Sequence, residues 1–281
     1  MAPLRDKLHV LTLNAHSLLE WDTAFCLETM TDAILREEVD ILVLQEVNQG
    51  LETAVAEQSE LEASQFMPCE QEVPVRKDNY ALAAAKLLQK KGGRYSWTWA
   101  YAHRGYDRFE EGEAVFTRLP VLETDALCVS TPHGRCSRKI AGMKVQLSDG
   151  ALWCYSVHMG WWKDEEEPFK AQWETFLKNT KSLMEKKETS LWVMGDFNSP
   201  ASVRGEGYDL VRVSGFKDTW DLAEKKDAGF TAPPKIDGWK EADKTSPKQG
   251  MRIDYIWHWG DINIEESRIL CNGKREPVVS D

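Results

Sequence analysis

The sequence predicts an α/β domain built from two packed β-sheets with helices on the outside. Three observations point there. Strand-like and helix-like runs alternate along the whole chain. Several strands follow one another with only turns between them, which a simple doubly wound sheet does not allow. Hydrophobic residues make up 42% of the 281 positions, ample for a large core. No repeat or low-complexity linker divides the chain, and the loop-like stretch 232–250 is too short to separate domains, so residues 1–281 are expected to form one unit.

The elements follow in order. "LHVLTLN" (8–14) alternates as a strand, and "DTAFCLETMTDAILREE" (22–38) places apolar residues at helical spacing with Asp22 as N-cap. "VDILVLQEV" (39–47) is almost continuously apolar, the mark of a strand covered on both faces. "DNYALAAAKLLQKKGG" (78–93) is a helix with a glycine stop. Strands are expected at 95–102, 113–118, 123–130, 138–147 and 151–159. A long amphipathic helix at 166–188 then carries Pro168 in its first turn. The strands "SLWVMGDF" (190–197), "RIDYIWHW" (252–259) and "INIEESRIL" (262–270) complete the set, with a mixed segment before 250.

Composition excludes several classes. With 35 Lys and Arg against 46 Asp and Glu, the net charge is −11 and no basic stripe is present, which counts against nucleic acid as a partner. A small phosphorylated ligand at a local cationic site remains compatible. No segment approaches the ~20 apolar residues of a membrane span, and the N-terminus does not read as a signal peptide. The six cysteines form no CxxC pair and are expected to be reduced, as in a cytoplasmic protein.

Polar exceptions recur where the apolar runs give out. Asn14 and His16 close the first strand, Glu46 the second and His158 the strand at 151–159; Asp196 and Asn198 follow "LWVMG", and Asp254 lies in "RIDYI". Taken singly, an acid at a strand end is usually a turn-former or cap, and a lone histidine a satisfied core residue. Their repetition matters because strands of one sheet end at a common edge. Hard oxygen ligands such as Glu46 and Asn14 suit Mg²⁺, or Mn²⁺, rather than zinc. Asp196 with Asn198 has the chemistry to orient a water and meet a phosphoryl oxygen, and His158 to stabilise charge on a phosphate in flight. No Gly-rich phosphate loop or nucleophile elbow appears. The hypothesis is water attack on a phosphate ester with metal assistance.

Five stretches in order, "LNAHS" (13–17), "LQEV" (44–47), "SVHMG" (156–160), "GDFNSP" (195–200) and "RIDYIW" (252–257), resemble the motif set of the endonuclease/exonuclease/phosphatase superfamily. The resemblance spans essentially the whole chain and implies a deoxyribonuclease-like four-layer α/β sandwich, two mixed sheets flanked by helices, with the site at one edge. It implies Glu46 as principal metal ligand with Asn14 close by, Asp196 as the group that orients or deprotonates water, Asn198 as a phosphate holder and His158 as transition-state stabiliser. Glu111 would orient that histidine, and Asp254 matches an acidic position of the late strand.

Loop stretches including "AHRGYDRFEEG" (102–112), "GWWKDEEEPFKAQ" (160–172), "RGEGYDL" (204–210) and "KIDGW" (235–239) resemble a bacterial subgroup that includes maltose 6'-phosphate phosphatase. On that reading Trp161, Trp162 and Trp239 offer flat faces to sugar rings. Asp237 would accept hydroxyls, as would Asp164 and Glu165. Arg104 or Arg204 would meet phosphate, with His16 a further substrate contact. For Glu166 and Glu167 the plainer role is to complement a helix dipole. For the Trp pair, core packing is the competing role.

The expected activity is therefore that of a Mg²⁺-dependent sugar-phosphate phosphatase. A phosphodiesterase or nuclease of the same superfamily, or a relative that only binds a phosphorylated ligand, stands as the alternative. The chain closes on "PVVSD", the first two residues of the family's final Ser-Asp-His motif. Asp281 is thus expected near the metal and the catalytic groups, without the histidine or final strand that would follow it. Either the protein lacks them or the chain stops early; the survival of every other site residue favours the second. As written it is expected to be poorly active.

Overall fold

The computed structural model of the chain describes residues 7–70, 72–132, 137–186, 189–233, 250–273 and 277–280. Two sheets face each other. The first runs in the order β1-β2-β4-β3, with β1 at Val10–Asn14, β2 at Ile41–Gly50, β3 at Ser96–Gly105 and β4 at Phe109–Thr117. The second runs β5-β6-β7-β8-β11-β9: β5 at Val121–Cys128, β6 at Lys139–Leu147, β7 at Gly150–His158, β8 at Thr189–Asp196, β9 at Phe216–Asp218 and β11 at Asp254–Trp259. The two-residue strands β10 (Lys225–Lys226) and β12 (Glu266–Ser267) pair apart from both. Each large sheet is mixed, with β1–β2 and β7–β8 parallel and the other ladders antiparallel.

Alternating side chains build three apolar layers. Between the sheets, Ile41 and Val43 of β2 meet Met143, Cys154, Trp192 and Met194 of the second sheet. On the outer face of the first sheet, Leu42, Leu44 and Trp97 pack under α1 (Thr23–Arg36) and α3 (Tyr80–Lys90). On the outer face of the second, Tyr155, Val157, Val193 and Trp257 pack under α4 (Phe169–Met184) and α5 (Gly207–Val213). The result is the four-layer sandwich, helices–sheet–sheet–helices. Strand β2 shows why a two-sided apolar run was needed: its odd and even residues serve different cores.

Local chemistry sets the helix ends. Asp22 accepts the amide of Phe25 at 3.0 Å, a cap that contributes about 1 kcal/mol. Asn79 does the same for α3, accepting from Ala81 and Leu82. Helix α4 starts later than the sequence pattern suggested. Pro168 sits at its N-cap rather than in its first turn, because Asp164 takes the amides of Glu166 and Glu167 and folds them into the preceding turn. Three short helices not read from the sequence, α2 (Gln58–Ala63), α5 and α6 (Thr219–Leu222), fill connections. The strand expected at 262–270 shrinks to β12. Ile262 and Ile264 still pack against the inter-sheet core, but the backbone of Ile264 and Glu265 bonds to the segment carrying β10 rather than to either large sheet. Cys69, Cys128 and Cys154 form no disulfide.

Candidate active site

The strand registers decide which polar side chains meet. Asn14 lies opposite Gln45, His158 opposite Asp196, and Asp196 opposite Asp254. The neighbours of one strand end thereby bring an amide, an imidazole and two carboxylates to one edge. Glu46 joins them through a β-bulge. The β2–β4 register jumps from Leu44↔Ala114 to Val47↔Gly112, so Gln45 and Glu46 share the place opposite Glu113. Glu46 takes a left-handed backbone, φ 54°, which costs about 1–2 kcal/mol for such a residue. Strain of this kind persists where surrounding structure over-determines it, commonly at functional sites. One further contact is tight: a side chain on Gly195 would place its Cβ 1.9 Å from the Val157 carbonyl, so only glycine lets β7 and β8 approach at this point.

Asn14 ties the two halves together. Its Nδ2 donates to Glu46 Oε1 at 2.8 Å and to Asp196 Oδ2 at 3.1 Å, while its Oδ1 accepts the amide of His16. Asp196 Oδ1 accepts the Asn198 amide at 2.7 Å, and Asn198 Nδ2 donates to the Met159 carbonyl at 2.8 Å. His158 Nε2 lies 3.9 Å from Asp196 Oδ2. Thr231 Oγ1 accepts the amide of Asp254, whose buried Oδ1 has no hydrogen-bond partner among the described residues.

This crowd of acids is costly in charge. Burial, with Glu46 nearby, pushes the Asp196 carboxyl up to about 6 despite the hydrogen bonds it accepts. Burial and the neighbouring Asp196 hold Asp254 well above the carboxylate range, and burial with Glu46 pushes Glu111 up to about 8. Burial, reinforced by Arg138, keeps His158 neutral at physiological pH. A neutral imidazole here can donate a hydrogen bond without carrying charge.

Two basic residues that the sequence reading missed complete the site. Arg138, just before β6, depresses proton affinity at Glu111, Glu113, Asp196, His103 and His158 together, and its Nε is buried with no hydrogen-bond partner among the described residues. Its signal was in the register. The β6–β7 ladder pairs Ala141 with Ser156, and continued outward it sets Lys139 and Arg138 beside His158 and Met159. The second is His103. Glu111, expected to orient His158, instead faces His103 across the β3–β4 ladder, with His103 Nε2 3.4 Å from Glu111 Oε1. The β3 register shift between Tyr101 and His103 turns this histidine inward, and His158 Nδ1 has no partner among the described residues. His103 Nδ1 meets the Ser137 carbonyl at 3.1 Å, and burial lowers the ring to about 4.

The loop residues are placed unevenly. Trp161 is 47% exposed and lines a small pocket with Arg138, Gly160, Asp164, Glu167 and Gln172. Trp162 is partly buried against Phe169 and belongs to the outer core. Asp164 is occupied as a turn-former, and Glu167 accepts the amide of Thr131 at 2.8 Å, so the loop carrying Trp161 is pinned on both sides. His16, also in a left-handed backbone, adjoins the cluster through Asn14 and contacts Glu20 at 3.1 Å. Arg104 stands opposite Glu110, on the other sheet face from His103 and Glu111. Arg204 is exposed, pairs with Asp209 at 2.5 Å and lies over the Tyr208 ring. Asp237, Trp239 and Asp281 lie outside the described residues.

The donor set fits a hard divalent cation. Glu46, Asp196 and Asp254 offer carboxylate oxygens whose mutual repulsion a cation relieves, and the orphaned Oδ1 of Asp254 is a buried acceptor in need of a partner. Among the described residues no group of three His, Cys, Asp or Glu side chains is arranged to hold a metal ion by itself.

Comparison with solved structures places this architecture. The chain superposes on an endonuclease/exonuclease/phosphatase family protein from Leptotrichia buccalis with a TM-score of 0.82 and 27% identity, over 98% of this chain and 96% of that one. A mannosyl-6-phosphatase from Bacteroides thetaiotaomicron matches at TM-score 0.64 and 15% identity, over 95% and 90%. TDP2 from D. rerio, complexed with single strand DNA product, matches at 0.57 and 16%, over 91% and 85%. The last two likenesses establish the fold alone. No protein-family model and no curated protein matches the chain. Among the described residues no helix is long and apolar enough to cross a membrane.

Proposed function

We propose that this chain, whose fold is that of endonuclease/exonuclease/phosphatase family proteins, is a divalent-metal-dependent hydrolase of phosphate esters acting on a small sugar phosphate. One observation carries the reading: Glu46, Asp196 and Asp254 converge beside a neutral His158 and a cationic Arg138 at one edge of the sandwich. Acid oxygens to hold a cation and cationic or neutral donors to hold a phosphate are the two halves of a phosphoester site.

Glu46, Asn14, Asp196 and Asp254 would hold Mg²⁺ or Mn²⁺, which when bound supplies charge neutralisation to the phosphate. Asp196, in its ionised form, takes a proton from the attacking water. His158 donates an N–H toward a phosphoryl oxygen, where charge grows in the transition state. One of the two amide hydrogens of Asn198 is used by Met159, and the other serves the phosphate. Arg138 anchors the ester's remaining oxygens. Trp161, at the pocket beside Arg138, presents a flat apolar face suited to a sugar ring. The net charge of −11 favours a small substrate over a polyanion, although the TDP2 neighbour bound to a DNA product keeps the phosphodiesterase reading as runner-up.

The test is a panel of sugar phosphates, maltose 6'-phosphate and mannose 6-phosphate included, run beside plasmid nicking with Mg²⁺, Mn²⁺ or a chelator. Metal-dependent phosphate release from a sugar ester without nicking is the expected result. Nicking at low Mg²⁺ without sugar-phosphate turnover would overturn it in favour of the runner-up, and phosphate-ester binding without turnover in favour of a binding-only relative.

A further inference from the structure

The β3–β4 hairpin turns through Gly105, Tyr106, Asp107 and Arg108, closed by the Arg108 amide on the Gly105 carbonyl at 3.2 Å. Both central residues have left-handed backbones, Tyr106 at φ 51° and Asp107 at φ 54°. Such a turn normally takes Asn or Asp followed by Gly, because those residues adopt positive φ with least strain. Aspartate tolerates the conformation; a tyrosine does so at a cost. Nor does Tyr106 recover that cost by packing, since it is 68% exposed.

The tip also lies against the site. A Cβ on Gly105 would stand 2.9 Å from Glu111 Oε2, so the turn sits directly on that carboxylate. The phenol of Tyr106 feels both Glu46 and Glu111, which add to burial in keeping its proton on. An aromatic ring is therefore held out, in strain, at the rim of the acid cluster.

We propose that Tyr106 is a specificity-determining residue whose ring receives the ring-shaped alcohol portion of a small phosphate ester while the phosphate sits at the carboxylate edge. The inference rests on the phosphoesterase reading and adds to it the group that selects the leaving alcohol. A ring face stacks on the apolar face of a sugar and has little to offer an open-chain alcohol. Retaining a strained, exposed aromatic makes sense where it contacts ligand, and none where it only folds the turn.

The experiment compares wild type with Tyr106→Gly and Tyr106→Phe on a hexose phosphate and on glycerol 3-phosphate, with melting temperature measured in parallel. Glycine should leave the melting temperature unchanged or raise it, since it accepts positive φ. It should raise KM for the hexose phosphate about tenfold or more, with kcat within about threefold and glycerol phosphate turnover unaffected. Phenylalanine should keep KM within about threefold, because the ring remains. Equal losses on both esters, a fall in melting temperature that tracks the activity loss, or an unchanged KM in Tyr106→Gly would overturn the inference while the phosphoesterase reading stands. A wild-type protein with no metal-dependent turnover of any phosphate ester overturns that reading, and this inference with it.

Discussion

The seam between the two sheets has two ends, and the same strands build both. At one end Ile41, Val43, Met143, Cys154 and Trp192 interlock in an apolar layer. Toward the other, β2 runs on into Gln45 and Glu46, β7 into Ser156 and His158, β8 into Asp196, while β4 contributes Glu111 and Glu113. Burial is deep at both ends: Cys154 is 0% exposed and Asp196 5%. What differs is how burial is satisfied. The apolar end is stabilised by removal from water, whereas the polar end needs a partner for every oxygen and nitrogen.

The transition between them is a hydrogen-bonded chain. Thr12 donates to Gln45 Oε1, Gln45 donates to Ser156 Oγ, and Ser156 Oγ lies 3.0 Å from the Leu44 carbonyl and 3.2 Å from Glu113 Oε2. One hydroxyl hydrogen cannot serve both acceptors. Burial holds the Glu113 carboxyl well above its ordinary range, so it carries its own proton and the conflict disappears. The site therefore rests on a neutral polar layer, with its charges confined to the rim.

The comparison can be broken at each end. The largest effect belongs to Asp196→Asn at the polar end. Turnover should fall about 10³-fold, with melting temperature in metal-free buffer unchanged or raised, because a buried charge has been removed. A destabilised but active variant would show that the two ends do not divide stability from chemistry. At the apolar end, Met143→Ala should cost about 2–5 kcal/mol in a denaturant titration while kcat per folded molecule stays within about twofold.

The smallest effect concerns pH. Asp196 in the fold titrates at about 6, above the ordinary ~3.9 of an unfolded aspartate. A raised folded value means that stability is fully present below about 4 and is lost as pH rises through about 6, the reverse of a salt-bridged acid. With Mg²⁺ bound beside the carboxylate the base form is favoured, so activity should climb with pH at or below that same window. Opposite slopes of stability and rate with pH, measured without metal and with Mg²⁺ respectively, are the expected signature, and parallel slopes would refute it. Glu113→Gln, which mimics the neutral carboxyl, should change stability at neutral pH by no more than about 1 kcal/mol.

Much of this was legible in the chain because strand periodicity is a local signal. Asn14, Glu46, His158, Asp196 and Asp254 each interrupt an apolar run, and the parallel and antiparallel registers then force those interruptions to one edge. Arg138 was not legible in that way, since it ends a loop rather than a run, and its role depends on which strand pairs with β6. His103, and its meeting with Glu111, escaped for a similar reason. The β3 register shift decides which histidine Glu111 meets, and such shifts leave no mark in composition. Arg104 shows the same parity from the other side: one residue further along, it looks away. Trp161 and Trp162 read alike in sequence, yet the turn pinned by Asp164 exposes the first and packs the second.

The bulge in β2 has one more consequence. Up to Leu44 the even-numbered residues of this strand belong to the helices, and after it the odd-numbered ones do, Val47 taking the helix-side place. The strand changes phase in the space of one extra residue. Had it kept step, position 46 would point its carboxylate among α1 and α3, and Val47 would face the other sheet. A single deletion at 45 or 46 would abolish the bulge and leave a regular strand with Val47 still on the helix side. What would be lost is the doubled place that turns Glu46 toward the site, which makes the spacing of "LQEV" as consequential as its letters.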